Sequence, residues 1–417
     1  MALANQSELE SKYVMETYKR KPVQFVSGDG MRLVDTDENE YLDFLAGSAA
    51  VNAGHAHPRL TEALQMQAAK LLHVGNYFYI EGRGELAQTI SALLNSPDGH
   101  NQGNPDAPAW KTFFGNSGTE AVEGALKLAR RYGYHHLNGA ASIVAAQRSF
   151  HGRTFGSLTA TGQPSKQDIF KPLLPGFVSH VELNDIDALR VALDGETEAG
   201  KVTALLLEPI QGESGVWPCT PEYLQAARQL TAERGQLLIL DEVQTGYFRT
   251  GTAFAFQSYG IVPDVVAMAK GLGNGMPIGA FAATGKAADA LEAGDHGSTF
   301  GGSALAIAAG QAAVAALLEM DAGRKATTVG NYLRAALSTL PEVVEVRGVG
   351  QMTGVKLNKP VANAVVDAAL ALASTHGLGL VLNATDAETL RFIPPLCCTE
   401  TEVDLMIAGL KLCLKDT

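Results

Sequence analysis

Beyond about residue 60 the sequence keeps changing its hydrophobic period. Short, nearly uninterrupted apolar runs alternate with stretches of helical spacing. TEAVEGALKLARRYGY has the period of a helix, ASIVAAQ of a strand, VTALLLEP of a strand, PEYLQAARQLTAERG of a helix and QLLILDE of a strand. Apolar residues on both faces of a strand mean that both faces are covered. This order therefore predicts an α/β architecture, a parallel sheet with helices packed on both sides. Helical spacing also marks RLTEALQMQAAKLL and GELAQTISALL. Residues 23 to 45, with turn chemistry at SGDG and DTDEN, predict short antiparallel strands. From about residue 320 the strands VVEVRGVG, MTGVKL and GLVLN and a final helix from Glu402 predict a separate α+β unit. The 417 residues suffice for two such units. Repeats are not visible, and the one loose stretch is NSPDGHNQGNPDAPA, residues 95 to 109.

Charged residues make up 18% of the chain, below the usual ~25%, which predicts extensive burial, including against another subunit. A net charge of −12 leaves no general basic field for nucleic acid or an anionic membrane. The four cysteines, Cys219, Cys397, Cys398 and Cys413, form neither a C-x-x-C pair nor a disulfide framework, which points to a reducing cytoplasm. The first twenty residues lack the apolar core of a signal peptide. ALAIAAGQAAVAALL, residues 304 to 318, is short for a membrane span and is interrupted by Gly310 and Gln311, so it reads as a buried helix.

Two apolar runs end in charge. Leu237 to Leu240 lead into Asp241 and Glu242, and Val265 to Ala269 lead into Lys270. In a parallel sheet the carboxyl ends of the strands open onto the ligand crevice. An ionised aspartate there is costly unless it faces a cation or caps a helix. A desolvated lysine loses basicity and becomes a nucleophile toward a carbonyl. Three further segments carry binding chemistry. GNSGTEAVEGALKLAR, residues 115 to 130, opens a helix on a Gly/Ser/Thr turn, as an anion site does, and as an ordinary cap by Ser117 or Thr119 also does. RSFHGRTFGSL places Phe150 and Arg153 on a loop, where a ring stacks on a planar group and a guanidinium holds a carboxylate. HGSTFGG offers the hydroxyls of Ser298 and Thr299 on a turn. A phosphate cradle, an acid for a ring nitrogen, an aromatic plate and a nucleophilic lysine together match the needs of pyridoxal phosphate.

With GHAHP, FFGNSGTEA, FHGRT, LLLEPIQGESG, LILDEVQTG and AMAKGLGNGMPIGA in this order, the chain resembles the class III aminotransferases of fold type I, most of all acetylornithine aminotransferases, from about Tyr41 to Leu396. The resemblance implies a large cofactor domain over residues 64 to 319, with a mostly parallel central sheet. It implies a smaller α+β domain made of residues 1 to 63 and 320 to 417. It implies a homodimer with shared active sites. Lys270 is then the residue that holds the cofactor aldehyde and moves the proton. Asp241 pairs with the pyridine nitrogen, Val243 and Phe150 pack on the ring, and Gln244 approaches the phenolic oxygen. Gly118 and Thr119 bind phosphate, and Thr299 reaches the phosphate in the neighbouring subunit.

For substrate the resemblance implies that Arg153 and Ser298 contact acetylornithine and that Arg391 binds the α-carboxylate of glutamate. Glu213 is implied to mask Arg391 while the ω-amino substrate is bound. Ser48 stands where ornithine aminotransferases carry a tyrosine for the free α-amine. The expected reaction moves the terminal amine of N2-acetylornithine to 2-oxoglutarate. Ornithine, acetyl-lysine, succinyl-diaminopimelate and 4-aminobutyrate are the alternative donors. Departures from the family pattern are Ser303 and Ala304 for Asn-Pro, Val122 for Asn, and Phe248 for Gly. A nicotinamide site on GLGNGMPIG conflicts with Pro277, which interrupts the helix such a turn must open. A cofactor-free lyase using Lys270 leaves the SGT and HGST turns unexplained. Neither His55 and His57 nor His135 and His136 have ligating neighbours at metal spacing, so no metal is expected.

Overall fold

The computed structural model describes residues 2–96 and 109–415. Residues 97–108 of the predicted loose stretch lie outside them. The central sheet runs, in spatial order, Lys111–Gly115, Gly279–Ala283, Val265–Met268, Leu237–Asp241, Gly200–Leu207, Ser142–Ala146 and Val178–Val181. Neighbouring strands from Val265–Met268 to Val178–Val181 pair in parallel. Gly279–Ala283 is antiparallel to both of its neighbours. The sheet is thus mostly parallel, as expected, with one antiparallel strand inside it. The cause is local. Only the turn 269–278 separates Gly279–Ala283 from the strand before it, and a parallel return needs a crossover of about a dozen residues or more.

Helices cover both faces of this sheet. Gly118–His136 packs on one face through Ala121, Val122, Ala125 and Leu128. Pro221–Arg234 packs on the other through Tyr223, Leu224 and Ala227. Val122, where the family pattern has Asn, is buried in the first of these cores. Leu237 to Leu240 are all buried, and each contributes roughly 1.5–3 kcal/mol of apolar transfer. Ala304–Glu319 is the expected buried helix, capped by Ser303, whose hydroxyl accepts from Ala306 N at 3.4 Å. No single helix among the described residues is long and apolar enough to cross a membrane.

Phe25–Asp29, Arg32–Asp35 and Glu40–Asp43 form the expected antiparallel meander. Gly379–Val381 adds to it in parallel, so the two ends of the chain share one sheet. A second small sheet contains Val343–Val349, Met352–Leu357, Thr389–Phe392 and Asn383–Ala384. The last helix, Glu400–Lys415, starts two residues before the expected Glu402. A fully buried arginine ties these parts together. Arg249 donates to Asn52 Oδ1 at 2.6 Å, to the Gln351 carbonyl at 3.1 Å and to the Pro394 carbonyl.

Candidate active site

Six strands of the central sheet point their carboxyl ends to one edge, and five of them lead into the site. Beyond them lie Gly118 and Thr119, Phe150 to Arg153, Glu208 to Glu213, Asp241 to Gln244, and Lys270. Asp241 stands opposite Ala267 in the register, three residues before Lys270. Lys270 leaves its strand through a left-handed backbone, φ 48°. That region is uncommon for a residue with a side chain and costs on the order of 1–3 kcal/mol. Its ammonium lies deep in the molecule, and its side chain opens only partly to the cleft. Burial first, and the nearby Arg391 charge second, push its pKa down to about 8 against the pull of Asp241, Glu208 and Glu213. The amine makes no hydrogen bond or ion pair among the described residues.

Gly271 and Gly273, after Lys270, do not line an open space. A Cβ on Gly271 would sit 2.4 Å from Asn52 Nδ2, and one on Gly273 would sit 2.2 Å from the Met276 carbonyl. Both allow protein to pack on protein.

Asp241 is buried. Its Oδ2 lies 2.8 Å from His151 Nδ1, and its Oδ1 accepts from Val243 N at 3.1 Å. His151 Nε2 is buried with no partner among the described residues. His151 is a site residue that the sequence reading missed, although it lies inside the FHGRT segment. Glu208 is a second. Its carboxylate accepts from Phe150 N at 2.8 Å and from Gly212 N at 3.3 Å. Burial raises its pKa to about 7.

The start of Gly118–His136 lies against Val243, since a Cβ on Gly118 would come within 2.7 Å of Val243 Cγ1. Ser117 caps this helix, its hydroxyl accepting from Glu120 N at 3.3 Å. Thr119 Oγ1 is shared with Thr154 Oγ1 at 3.0 Å and Ser157 Oγ at 2.6 Å, which binds the helix start to the FHGRT loop. Arg153 is exposed, its guanidinium 5.6 Å from the centre of the Phe150 ring. Ser298 Oγ accepts from Asn116 Nδ2 at 3.2 Å, next to the Gly/Ser/Thr turn that opens the helix. Thr299 is exposed, outside this cluster of contacts.

Arg391, 5% exposed, gives all its hydrogen bonds to neutral acceptors. These are Asn383 Oδ1 at 3.1 Å, the Gly212 carbonyl at 2.9 Å and Gln244 Oε1 at 3.4 Å. Burial lowers its pKa to about 10 against the Glu213 and Glu208 charges. Glu213 is not bonded to Arg391 in this conformation. Its carboxylate is held by Lys166 Nζ at 2.5 Å and Gln163 Nε2 at 2.7 Å. The masking pair implied by the family resemblance is therefore open here. Ser48 sits in a left-handed turn, with positive φ at every residue from Ala46 to Ala49, and Ala49 packs with Met352 and Ile393 beside the Arg391 strand.

A buried unbonded amine, a buried carboxylate braced by a histidine, a helix start and an arginine lacking a bonded anion make one crevice for an anionic carbonyl compound. The residues fit pyridoxal phosphate on that observation, since the Lys270 amine and the Asp241 carboxylate are the groups that its aldehyde and its ring nitrogen require.

A family model described as aminotransferase class-III matches residues 13–414. An acetylornithine aminotransferase of Caldanaerobacter subterraneus subsp. tengcongensis is 45% identical over 400 residues, with 95% of each chain covered. One of Mycobacterium leprae is 43% identical over 399 residues, covering 95% of this chain and 92% of that one. Among solved structures, the acetylornithine aminotransferase of Elizabethkingia anophelis superposes with a TM-score of 0.84 at 32% identity, covering 100% of this chain and 99% of that one. The ornithine aminotransferase of Toxoplasma gondii ME49 superposes with a TM-score of 0.88 at 28% identity, covering 100% and 96%.

Proposed function

The chain belongs to the class III aminotransferases, and we propose that it moves the terminal amine of N2-acetylornithine to 2-oxoglutarate. The products are N-acetylglutamate 5-semialdehyde and glutamate, a step of arginine biosynthesis that we place in the cytoplasm. The cofactor is pyridoxal phosphate, which when bound supplies an aldehyde that condenses with amines and a ring that withdraws electrons from the reacting carbon. The observation that carries the reading is the unbonded, deeply set Lys270 amine in the same crevice as a buried Arg391 with no bonded anion.

The protein's own residues divide the work. Lys270, with its pKa near 8, is neutral often enough at physiological pH to attack a carbonyl and to carry a proton. Asp241, braced by His151, holds negative charge where a protonated ring nitrogen needs it. Val243 and Phe150 would pack on the ring, Gln244 would serve its oxygen, and Gly118 and Thr119 would offer the helix start to phosphate. Arg391 offers a fork of donors to an α-carboxylate. Arg153 and Ser298 serve the acylated donor, and Glu213 alternates with substrate on Arg391. Ser48 in place of the tyrosine of ornithine aminotransferases favours an acylated α-amine, as does the higher identity to acetylornithine aminotransferases.

The reading includes a homodimer in which Thr299 serves the partner subunit's cofactor phosphate. Support comes from the exposed apolar side chains of Leu71, Leu72, Tyr77, Phe78 and Tyr79, with Phe300 next to Thr299. Such a run is costly in water and typical of a subunit interface.

The test is the absorption spectrum of the loaded protein before and after N-acetylornithine. Loss of the visible band with gain of a pyridoxamine-type band is the expected result. A band that responds to glutamate and ornithine but not to N-acetylornithine overturns the donor.

A further inference from the structure

Glu213 has two basic neighbours and is bonded to one of them. Lys166 Nζ lies 2.5 Å from its Oε1, and Gln163 Nε2 lies 2.7 Å from its Oε2, so both oxygens are engaged. Arg391 reaches it only through charge, although Arg391 Nη1 bonds the carbonyl of the adjacent Gly212 at 2.9 Å. Burial alone would raise the Glu213 pKa. The hydrogen bonds of Lys166 and Gln163, with the charges of Lys166 and Arg391, outweigh it and hold the carboxyl below the usual range. The glutamate is therefore an anion, and the question is which cation it sits on.

Lys166 is not a passing surface lysine. Only 17% of its side chain is exposed. Its ammonium lies 5.3 Å from the centre of the Phe150 ring, on the loop that also carries Arg153. It also bonds Gln163 Oε1. Gln163 in turn donates to the Ser149 carbonyl at 3.2 Å, which fixes the pair to the loop bearing Phe150.

We propose that Lys166, steadied by Gln163, is the positioning residue that holds Glu213 off Arg391 and so keeps Arg391 open to the α-carboxylate of a dicarboxylic substrate. This rests on the substrate reading above. Two cations competing for one carboxylate form a two-state element, and weakening one anchor shifts the population toward the other. Without Lys166 the carboxylate moves to Arg391, a buried guanidinium with no bonded counter-ion. Glutamate and 2-oxoglutarate then have to displace it, whereas a donor without a free α-amino-acid end meets a site already masked. Lys166 thereby sets the balance between the two half-reactions without touching the reacting atoms.

The test uses loaded wild type, Lys166→Ala, Lys166→Arg and Glu213→Gln proteins and the double variant of Lys166→Ala with Glu213→Gln. Two quantities are read: the dissociation constant of glutarate, an unreactive dicarboxylate, by titration of the cofactor absorbance; and the ratio of single-turnover kcat/KM for glutamate to that for N-acetylornithine. Lys166→Ala is expected to weaken glutarate and lower the ratio, each by roughly tenfold, a shift of about 1.4 kcal/mol in the competing equilibrium. Lys166→Arg restores most of both. In the Glu213→Gln background the Lys166→Ala change has no further effect on either. Equal losses in both half-reactions, or an undiminished effect in the Glu213→Gln background, overturn the proposal. A wild type that reacts with glutamate but not with N-acetylornithine overturns the donor and leaves the glutarate arm decisive. A wild type that does not bind glutarate overturns both.

Discussion

His151 Nδ1 lies 2.8 Å from Asp241 Oδ2, with both side chains sealed from solvent. The two come from different strand ends, 90 residues apart in the chain. Removing the imidazole leaves a buried carboxylate short of one donor, a cost of about 1–3 kcal/mol. His151→Leu is expected to lower kcat roughly tenfold to a hundredfold, while His151→Asn, which retains a donor, loses less. Asp241→Asn removes the charge itself and is expected to cost more than either, on the order of 10²–10³-fold. Steady-state kinetics with N-acetylornithine check the order. A His151→Leu enzyme as active as wild type refutes the brace.

Lys270→Ala removes the amine proposed to bond the cofactor aldehyde. Turnover should fall to background while the protein still takes up pyridoxal phosphate non-covalently. Equilibrium dialysis separates this from loss of the cradle.

Burial lowers the Lys270 pKa to about 8, so its neutral fraction rises through pH 7 to 9, where an ordinary lysine stays protonated. The covalent phase of cofactor uptake by apoprotein should accelerate over this window and level off above it. Stopped-flow absorbance from pH 6 to 9.5 reads the midpoint. A rate still climbing tenfold per pH unit at 9.5 contradicts the lowered value.

Arg391→Lys keeps the charge and loses the fork of donors. The glutamate half-reaction should lose at least about tenfold more in kcat/KM than the N-acetylornithine half-reaction. Single-turnover measurements of each half-reaction test this, and equal losses rule out the assigned α-carboxylate site.

Gly118→Ala would put a methyl group 2.7 Å from Val243 Cγ1. That forces the helix start and Val243 apart, and cofactor affinity should drop by about tenfold, for an overpacking cost of roughly 1–3 kcal/mol. Combining it with Val243→Ala opens the space and should recover part of the affinity. A double variant worse than the sum of the singles would contradict the contact.

Arg249 is wholly buried, and its Nη1 and Nη2 donate to neutral acceptors on three separate segments, while its Nε has no partner among the described residues. Arg249→Leu leaves Asn52 and two carbonyls without their donor, and should destabilise the protein by about 3 kcal/mol or more. Thermal unfolding of the apoprotein reads this away from catalysis.

Much of this was legible from local pattern. The apolar run ending in Lys270 and the run ending in Asp241 both proved to be buried strands opening on the same edge. The antiparallel strand Gly279–Ala283 was not separated from its parallel neighbours, because an apolar run shows burial but not direction. Nor could spacing reveal His151 or Glu208, since each does its work through a residue far away in the chain.

By itself the sequence determined the strand–helix alternation, the charged strand ends and the Gly/Ser/Thr turn that opens a helix, because hydrophobic period and turn chemistry are properties of neighbouring residues. Only the tertiary structure decided which charges meet. Lys166 and Glu213 are 47 residues apart, and Glu213 and Arg391 lie on different segments brought together by packing. A carboxylate between two cations takes the one whose distance and burial favour it, and those quantities exist only once the chain has folded.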